Sequence, residues 1–296
     1  MAPMMKIILS RKGFDSSAGG VASPLFADGS LLSLPIPDQK GTLSYADLCW
    51  GEYQLGPLVE ALTHGRIDQQ QRAHLDPDLY PAICARPAGW RPLFGQDGAA
   101  QSHLTNQGVG VGDLFLFFGW FRSVELSQGQ RRFAKNAPDL HLLYGWLQVG
   151  AVLTGAQVAT APPAWAATHP HCVGGRGMRN TLYVASDRLT MDGLVTTLPG
   201  AGYFPAYSEK RCLTAKGKLR TQWRLPRWFY PTEDRLPLSY HTDRTRWSWD
   251  DDYAYLRSAM RGQEFVLDTT YYPEAVVWAT SLLCQPDQWI VNQCDS

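Results

Sequence analysis

The sequence predicts an α+β chain: a curved, mainly antiparallel sheet or partly open barrel, with peripheral helices and a helical C-terminal part. Three observations point there. The 11 Trp, 13 Tyr and 11 Phe are a heavy aromatic load, and aromatic side chains suit the half-buried surface of a strand better than a helical bundle. The 27 Gly and 20 Pro imply many turns. Two long apolar runs, Leu114 to Arg122 and Leu140 to Val149, share one local pattern: Phe118-Gly119-Trp120-Phe121 returns as Tyr144-Gly145-Trp146-Leu147.

Taken in order, Ile7-Ile8-Leu9 reads as a short buried strand, ended by the small, polar and basic run from Ser10 to Gly20. After the turn signal Ala27-Asp28-Gly29, Ser30 to Pro37 suggests a second strand pairing near the first, with Pro35 and Pro37 confining its end to an edge. Tyr45 to Cys49, with Ser44 as N-cap, reads as a helical turn. Leu55 to His64 has the spacing of a short helix, with Pro57 in its first turn and Gly65 as its stop. Residues 66–108 read as irregular, and a loop of that length marks either function or unrecognised elements.

Gly112-Asp113 then turns the chain into the first apolar run, and a charged segment from Gln128 to Pro138 separates it from the second. An antiparallel hairpin follows naturally. Glycine inside each run marks a bulge, a barrel corner or a close backbone approach. Residues 157–178 read as loop, Thr181 to Ser186 as a strand, and Leu198 to Phe204 as a tight turn. Asp250 is placed to cap a helix through Tyr253, Leu256 and Met260, ended by Gly262; a second helix starts at Pro273. The expectation is one domain over residues 1–296, with a sub-boundary near 105–110 as the alternative.

Hydrophobic residues make up 45% of the chain and charged residues 18%, which argues against disorder. The 27 basic and 27 acidic residues cancel, so the chain lacks the broad positive field of a non-specific DNA-coating protein. Its 6 Cys are scattered without a Cys-x-x-Cys pair, as in reduced thiols rather than a disulfide framework or zinc ribbon. Met1 to Ser10 lacks the apolar core of a signal peptide, and Leu140 to Ala156 is too short and too interrupted by His141 and Gln148 to span a bilayer. The expectation is a soluble cytoplasmic protein without a membrane partner.

Chemistry concentrates in a few places. The loop after the first strand combines Ser10, Arg11, Lys12, Ser16 and Ser17 with Gly13, Gly19 and Gly20, a composition that can present backbone N–H groups and positive charge to a phosphate. It matches neither the Gly-Lys-Ser/Thr phosphate loop nor the dinucleotide fingerprint; the plainer alternative is a basic surface turn in which Asp15 caps Ser17 or Ala18. From Lys210 to Tyr230 the chain carries Lys216, Lys218, Arg220 and Arg224 among its basic residues and no acidic residue, interleaved with Trp223. Such a segment tracks a nucleic-acid backbone, or is a solvated hairpin whose tryptophans point inward. Trp120 and Trp146 are candidates to stack on a base. His74-x-Asp76-x-Asp78 offers a base with an orienting carboxylate, or a polar turn around Asp76-Pro77; Asp15, His74 and Asp76 are the candidates for proton transfer. His169-x-His171 followed by Cys172 contains metal-ligand types, but Pro170 favours a turn and no second ligand cluster is evident, so a hydrogen-bonded histidine pair without metal or cofactor is expected.

Leu9-Ser10-Arg11-Lys12-Gly13-Phe14-Asp15-Ser16-Ser17 with Gly19-Gly20, Leu32-Ser33-Leu34-Pro35-Ile36-Pro37, and Gly112 to Phe121 resemble a bacterial and phage family, the nucleotide modification associated domain, type three. Leu143-Tyr144-Gly145-Trp146 and Leu182-Tyr183-Val184-Ala185 fit it too, so the likeness spans nearly the whole chain. The resemblance implies an association with nucleotide or nucleic-acid modification and transfers no catalytic residue. The Gly-Asp turn, apolar strand and Tyr-Gly-Trp strand are also similar to the hairpin of PUA- and EVE-type modified-base-reading barrels, an analogy of fold.

Together these readings lead to recognition of a modified nucleotide or nucleic acid, DNA rather than RNA, through the N-terminal loop, with turnover left open. The alternatives are an enzyme acting on a free nucleotide or nucleotide-sugar donor, and a non-catalytic protein-binding component of a modification or defence system.

Overall fold

In a computed structural model, residues 5–173, 177–260 and 262–283 are described. A nine-stranded sheet organises them. Its main path runs Glu264–Asp268, Lys6–Arg11, Leu114–Ser127, Leu140–Thr154, Thr181–Ala185, Leu93–Gln96. Pairing is mostly antiparallel; Leu114–Ser127 runs parallel to Lys6–Arg11 and to the short strand Ser23–Leu25.

Alternation of side chains sorts the apolar residues to two faces. Ile8, Phe115, Phe117, Leu142 and Leu147 point into one core with Phe94, Tyr144 and Tyr183. Ile7, Leu9, Leu114, Leu116, Phe118 and Leu143 enter a second core with Trp223, Leu256 and Phe265. Burial on both faces explains why these strands read as unbroken apolar runs rather than polar–apolar alternations.

The sheet is curved but not closed. No ladder joins its end strands Glu264–Asp268 and Leu93–Gln96. They approach through side chains instead: Gln96 Nε2 donates to Glu264 Oε1 at 2.6 Å, and Lys12 Nζ sits 4.5 Å from the centre of the Phe94 ring. Among the described residues there is accordingly no closed barrel of the PUA or EVE kind.

The two glycines of the repeated pattern have the expected use. The register shifts between Leu143 and Gly145. A Cβ on Gly145 would meet the Gly202 carbonyl oxygen at 2.9 Å, and one on Gly119 would meet that of Lys12 at 2.9 Å.

The helix at Leu55–Leu62 and the turn at Tyr45–Asp47 form where their spacing places them, the latter with Ser44 Oγ donating to Asp47. A C-terminal helix, Glu274–Leu283, follows Pro273. Other expectations need correction. Ser30 to Pro37 does not pair with the first strand: only Ile36–Pro37 is a strand, and it pairs with Arg72–His74. The 66–108 stretch holds Arg72–His74, Leu93–Gln96 and a helix at Gly98–Asn106. The segment capped by Asp250 is not a helix. It is the strand Tyr253–Arg257, where Ala254 and Leu256 are buried and Tyr253 and Arg257 exposed, and this two-residue period outweighed a helical cap signal. Among the described residues, no helix is long and apolar enough to cross a membrane, and Cys49, Cys84, Cys172 and Cys212 are free thiols.

Candidate functional site

The first strand leaves the sheet at Arg11, and the loop that follows forms one wall of a cleft of about 450 Å³. Arg11, Lys12, Asp15 and Ser17 of the loop line the cleft together with Asp38, His74, Asp76, Gly95 and His171. The candidate proton-transfer residues and most of the candidate phosphate residues, distant in sequence, therefore share one cavity. A smaller cleft of about 150 Å³ adjoins the same loop, and Arg11, Asp15, Ser16, Ser17, Trp120 and Arg220 are among the residues that line it. Another depression, about 690 Å³, lies between the Leu55–Leu62 helix and the Gly129–Arg131 turn. Glu52 and His64 in it are exposed, so it is a surface hollow without a buried polar centre.

The loop holds itself together differently from an amide cradle. Arg11, Lys12 and Phe14 donate their backbone N–H groups to Gln263, Phe118 and Leu34. Asp15 Oδ1 accepts from the N–H groups of Ser17 and Ala18 at 2.7 and 2.8 Å. Most of the N–H groups that the composition suggested would be available are thus engaged, and what the loop offers an anion is side chains. The Arg11 guanidinium donates to the carbonyls of Met260 and Gly262 at 3.0 and 2.8 Å. Burial lowers its pKa; the Asp15 carboxylate opposes that, and the neighbouring Arg220 adds to it. Arg220 lies 4.0 Å from the Trp120 ring centre and donates to Ser16 Oγ at 2.9 Å. Neither arginine has a carboxylate within ion-pair distance among the described residues.

Other candidates are placed elsewhere. Ser10 is buried inside the sheet, its hydroxyl without a hydrogen-bond partner among the described residues, and it lines neither cleft. Lys12 Nζ is paired with the fully buried Glu264 at 2.8 Å. Trp223 is buried, donating its indole N–H to His141 Nδ1 at 3.0 Å; Trp146 packs on Phe204 and donates to the Pro199 carbonyl. Neither offers an open ring face. Lys216 and Lys218 are exposed on a turn, and Arg224 is tied to Glu209 at 3.0 Å.

The rest of the cleft lining is built from four segments. Pairing of Ile36 with His74 sets Asp38 beside the imidazole, whose Nδ1 donates to Asp38 Oδ2 at 2.7 Å. Asp76 is no solvated turn residue: it is 8% exposed, and Oδ1 accepts from the Gly95 N–H at 2.7 Å. Burial favours the neutral carboxyl, but His169, His171 and His74 around it outweigh burial and hold it below the usual carboxylate range. His171 Nδ1 lies 2.6 Å from Asn180 Oδ1, while Asn180 Nδ2 donates to the His171 carbonyl at 2.8 Å. That second bond fixes the amide, so the proton is on Nδ1 and Nε2 carries a lone pair. Burial pushes His171 down to about 4. Gly95 is glycine because the His171 ring occupies the place of a Cβ.

The metal-capable atoms here are those of His74, Asp76 and His171, one from each lying within 4.8 Å of one another. The sequence exposed His74-x-Asp76 and His169-x-His171 separately, but nothing in it joined them. Asp38, Gly95, Asn180 and Glu264 carried no local signal.

With this geometry in view, comparison with known families gave a match between residues 6–268 and the nucleotide modification associated domain 3. The chain belongs to that family. Both clefts are lined within the matched span. The family ties the chain to nucleotide modification in general terms. Comparison with curated proteins and with solved structures gave no significant match.

Proposed function

We propose that this nucleotide modification associated domain recognises a nucleotide displayed in nucleic acid, gripping its phosphate through the N-terminal loop. One observation carries the reading: Arg11 and Arg220, neither in ion-pair contact with a carboxylate among the described residues, converge with Asp15, Ser16, Ser17 and Trp120 on a cleft that adjoins the His74–Asp76 cavity. Two guanidiniums facing one space repel each other, and a phosphate between them removes the repulsion and gains charge-assisted hydrogen bonds. Trp120 has one face on Arg220, and its Nε1 donates to Asp139 at 2.9 Å. The neighbouring cavity has the size of a small-molecule site and would hold the part of the ligand on which His74 and Asp76 act.

A free nucleotide or nucleotide-sugar donor is the second reading, supported by the cavity's size, the zero net charge and the burial of Trp146 and Trp223. Thermal melting with a panel of mononucleotides, nucleoside diphosphates and short DNA and RNA separates the readings, because only a ligand that binds the folded chain raises Tm. Stabilisation by DNA beyond that by its mononucleotides supports nucleic-acid recognition. Stabilisation by small nucleotides alone supports the second reading, and no shift with any of them refutes both.

A further inference from the structure

We propose that His74, Asp76 and His171 bind a divalent first-row transition-metal ion on the wall of the larger cleft. The site is defined by where lone pairs point and requires no nucleotide. His171 Nε2 stands 3.9 Å from Asp76 Oδ2, and His74 Nε2 stands 3.9 Å from the same oxygen. That is beyond a hydrogen bond. His171 keeps its proton on Nδ1, so the imidazole nitrogen and the carboxylate oxygen turn electron pairs toward each other with no proton to share. On the wall of an open cleft, such an arrangement is completed by a cation held between the two atoms.

The supporting contacts have the form found behind metal ligands, where the distal imidazole nitrogen and the second carboxylate oxygen are held by hydrogen bonds. Asp38 accepts from His74 Nδ1, and Asn180 accepts from His171 Nδ1. The Gly95 N–H fixes Asp76 Oδ1, leaving Oδ2 turned to both histidines. His169 backs the same carboxylate, its Nε2 3.3 Å from Oδ1. Bonds of about 2.1 Å place neighbouring donors about 3.0–3.4 Å apart, so the 3.9 Å separations need only small side-chain rotations to close on an ion.

Two imidazoles and one carboxylate select zinc, iron, cobalt or manganese over calcium or magnesium, which prefer all-oxygen sites. Three protein ligands leave coordination positions open. Arg11 and Ser17 line the same cavity.

The test uses metal alone. The full chain, stripped with a chelator, is titrated with Zn2+ and with Co2+ by calorimetry and visible absorption, with melting followed in parallel. The expected result is one tight equivalent per chain that raises Tm. Asp76→Asn keeps the shape and the Gly95 contact, and is expected to weaken binding at least 100-fold. Asp38→Asn, which touches no metal, is expected to weaken it 10- to 100-fold with the Co2+ spectrum retained. No tight equivalent in the wild-type chain overturns the proposal. So does wild-type affinity in Asp76→Asn; should that variant not fold, wild-type affinity in Asp38→Asn overturns it. Nucleotide binding without metal binding would leave the proposed function standing while removing this one.

Discussion

Replacing Lys12 by Met removes the cation from the pair that ties the N-terminal loop to the end strand. Glu264 is fully buried. Its Oε1 accepts from Lys12 at 2.8 Å and from Gln96 at 2.6 Å, and its Oε2 has no hydrogen-bond partner among the described residues. Without Lys12 the carboxylate keeps one neutral donor in a water-poor site. Removing one partner of a buried ion pair costs about 3–5 kcal/mol, since the remaining charge is left uncompensated. For a chain of this size each kcal/mol moves Tm by roughly 2 °C, so the expected drop is about 6–10 °C. Met fills most of the volume against Phe94, which keeps packing loss small. The double variant Lys12→Met/Glu264→Leu removes both charges and is expected to recover most of the loss. Scanning calorimetry on the wild type, both single variants and the double variant closes the cycle. A Lys12→Met chain melting within 2 °C of wild type would refute the reasoning, and would return Lys12 to the role of a phosphate ligand.

The remaining predictions concern pH, the cavity wall and the basic turn. His141 is pushed down to about 3 and His241 to about 4, each by burial first, while the unfolded chain protonates both near the usual histidine value of about 6.5. The unfolded state therefore binds more protons below that pH: stability is full above about 6.5 and falls as pH drops toward the folded values, by roughly 2 kcal/mol per histidine between pH 6.5 and 5. Urea midpoints that do not fall over that interval would contradict it. Gly95→Ala drives a methyl into the His171 ring and is expected to lower Tm by several degrees and weaken metal binding; unchanged values of both would show that the ring moves freely. Lys216→Ala/Lys218→Ala leaves stability within about 0.5 kcal/mol, because both side chains are exposed. If a nucleic-acid backbone runs along that turn, the salt slope of DNA binding falls by about 2, and an unchanged slope would take the turn out of the interface.

The fold class was legible because the signals were local. Leu114 to Arg122 and Leu140 to Val149 had only one sensible partner in each other, and Gly119 and Gly145 marked the close approaches found between these strands and their neighbours. Tyr253, Leu256 and Met260 also fit a helical spacing, and pairing with Gln222–Pro226 decides for a strand at Tyr253–Arg257. The Arg72–His74 and Leu93–Gln96 strands are too short, at 3 and 4 residues, to show a period. The site was half legible. Arg11, Ser17, His74 and Asp76 stood out by residue type, and the structure brings them to one cavity. Trp146 and Trp223 stood out equally, yet aromatic rings beside strands fill cores as readily as they stack on ligands. Asp38 and Asn180 were invisible, since a residue that orients an imidazole 9 or 36 positions away leaves no pattern in the chain.

If Arg11 and Arg220 at the N-terminal loop grip a nucleotide phosphate, loss of either guanidinium weakens nucleotide binding. Isothermal titration of wild-type and Arg220→Ala chains with a nucleoside diphosphate tests it most directly, since Arg220 is only partly buried and its loss leaves no buried charge unpaired. The expected result is measurable wild-type binding that weakens tenfold or more in Arg220→Ala, with Tm unchanged. Equal affinity in the two chains would contradict it.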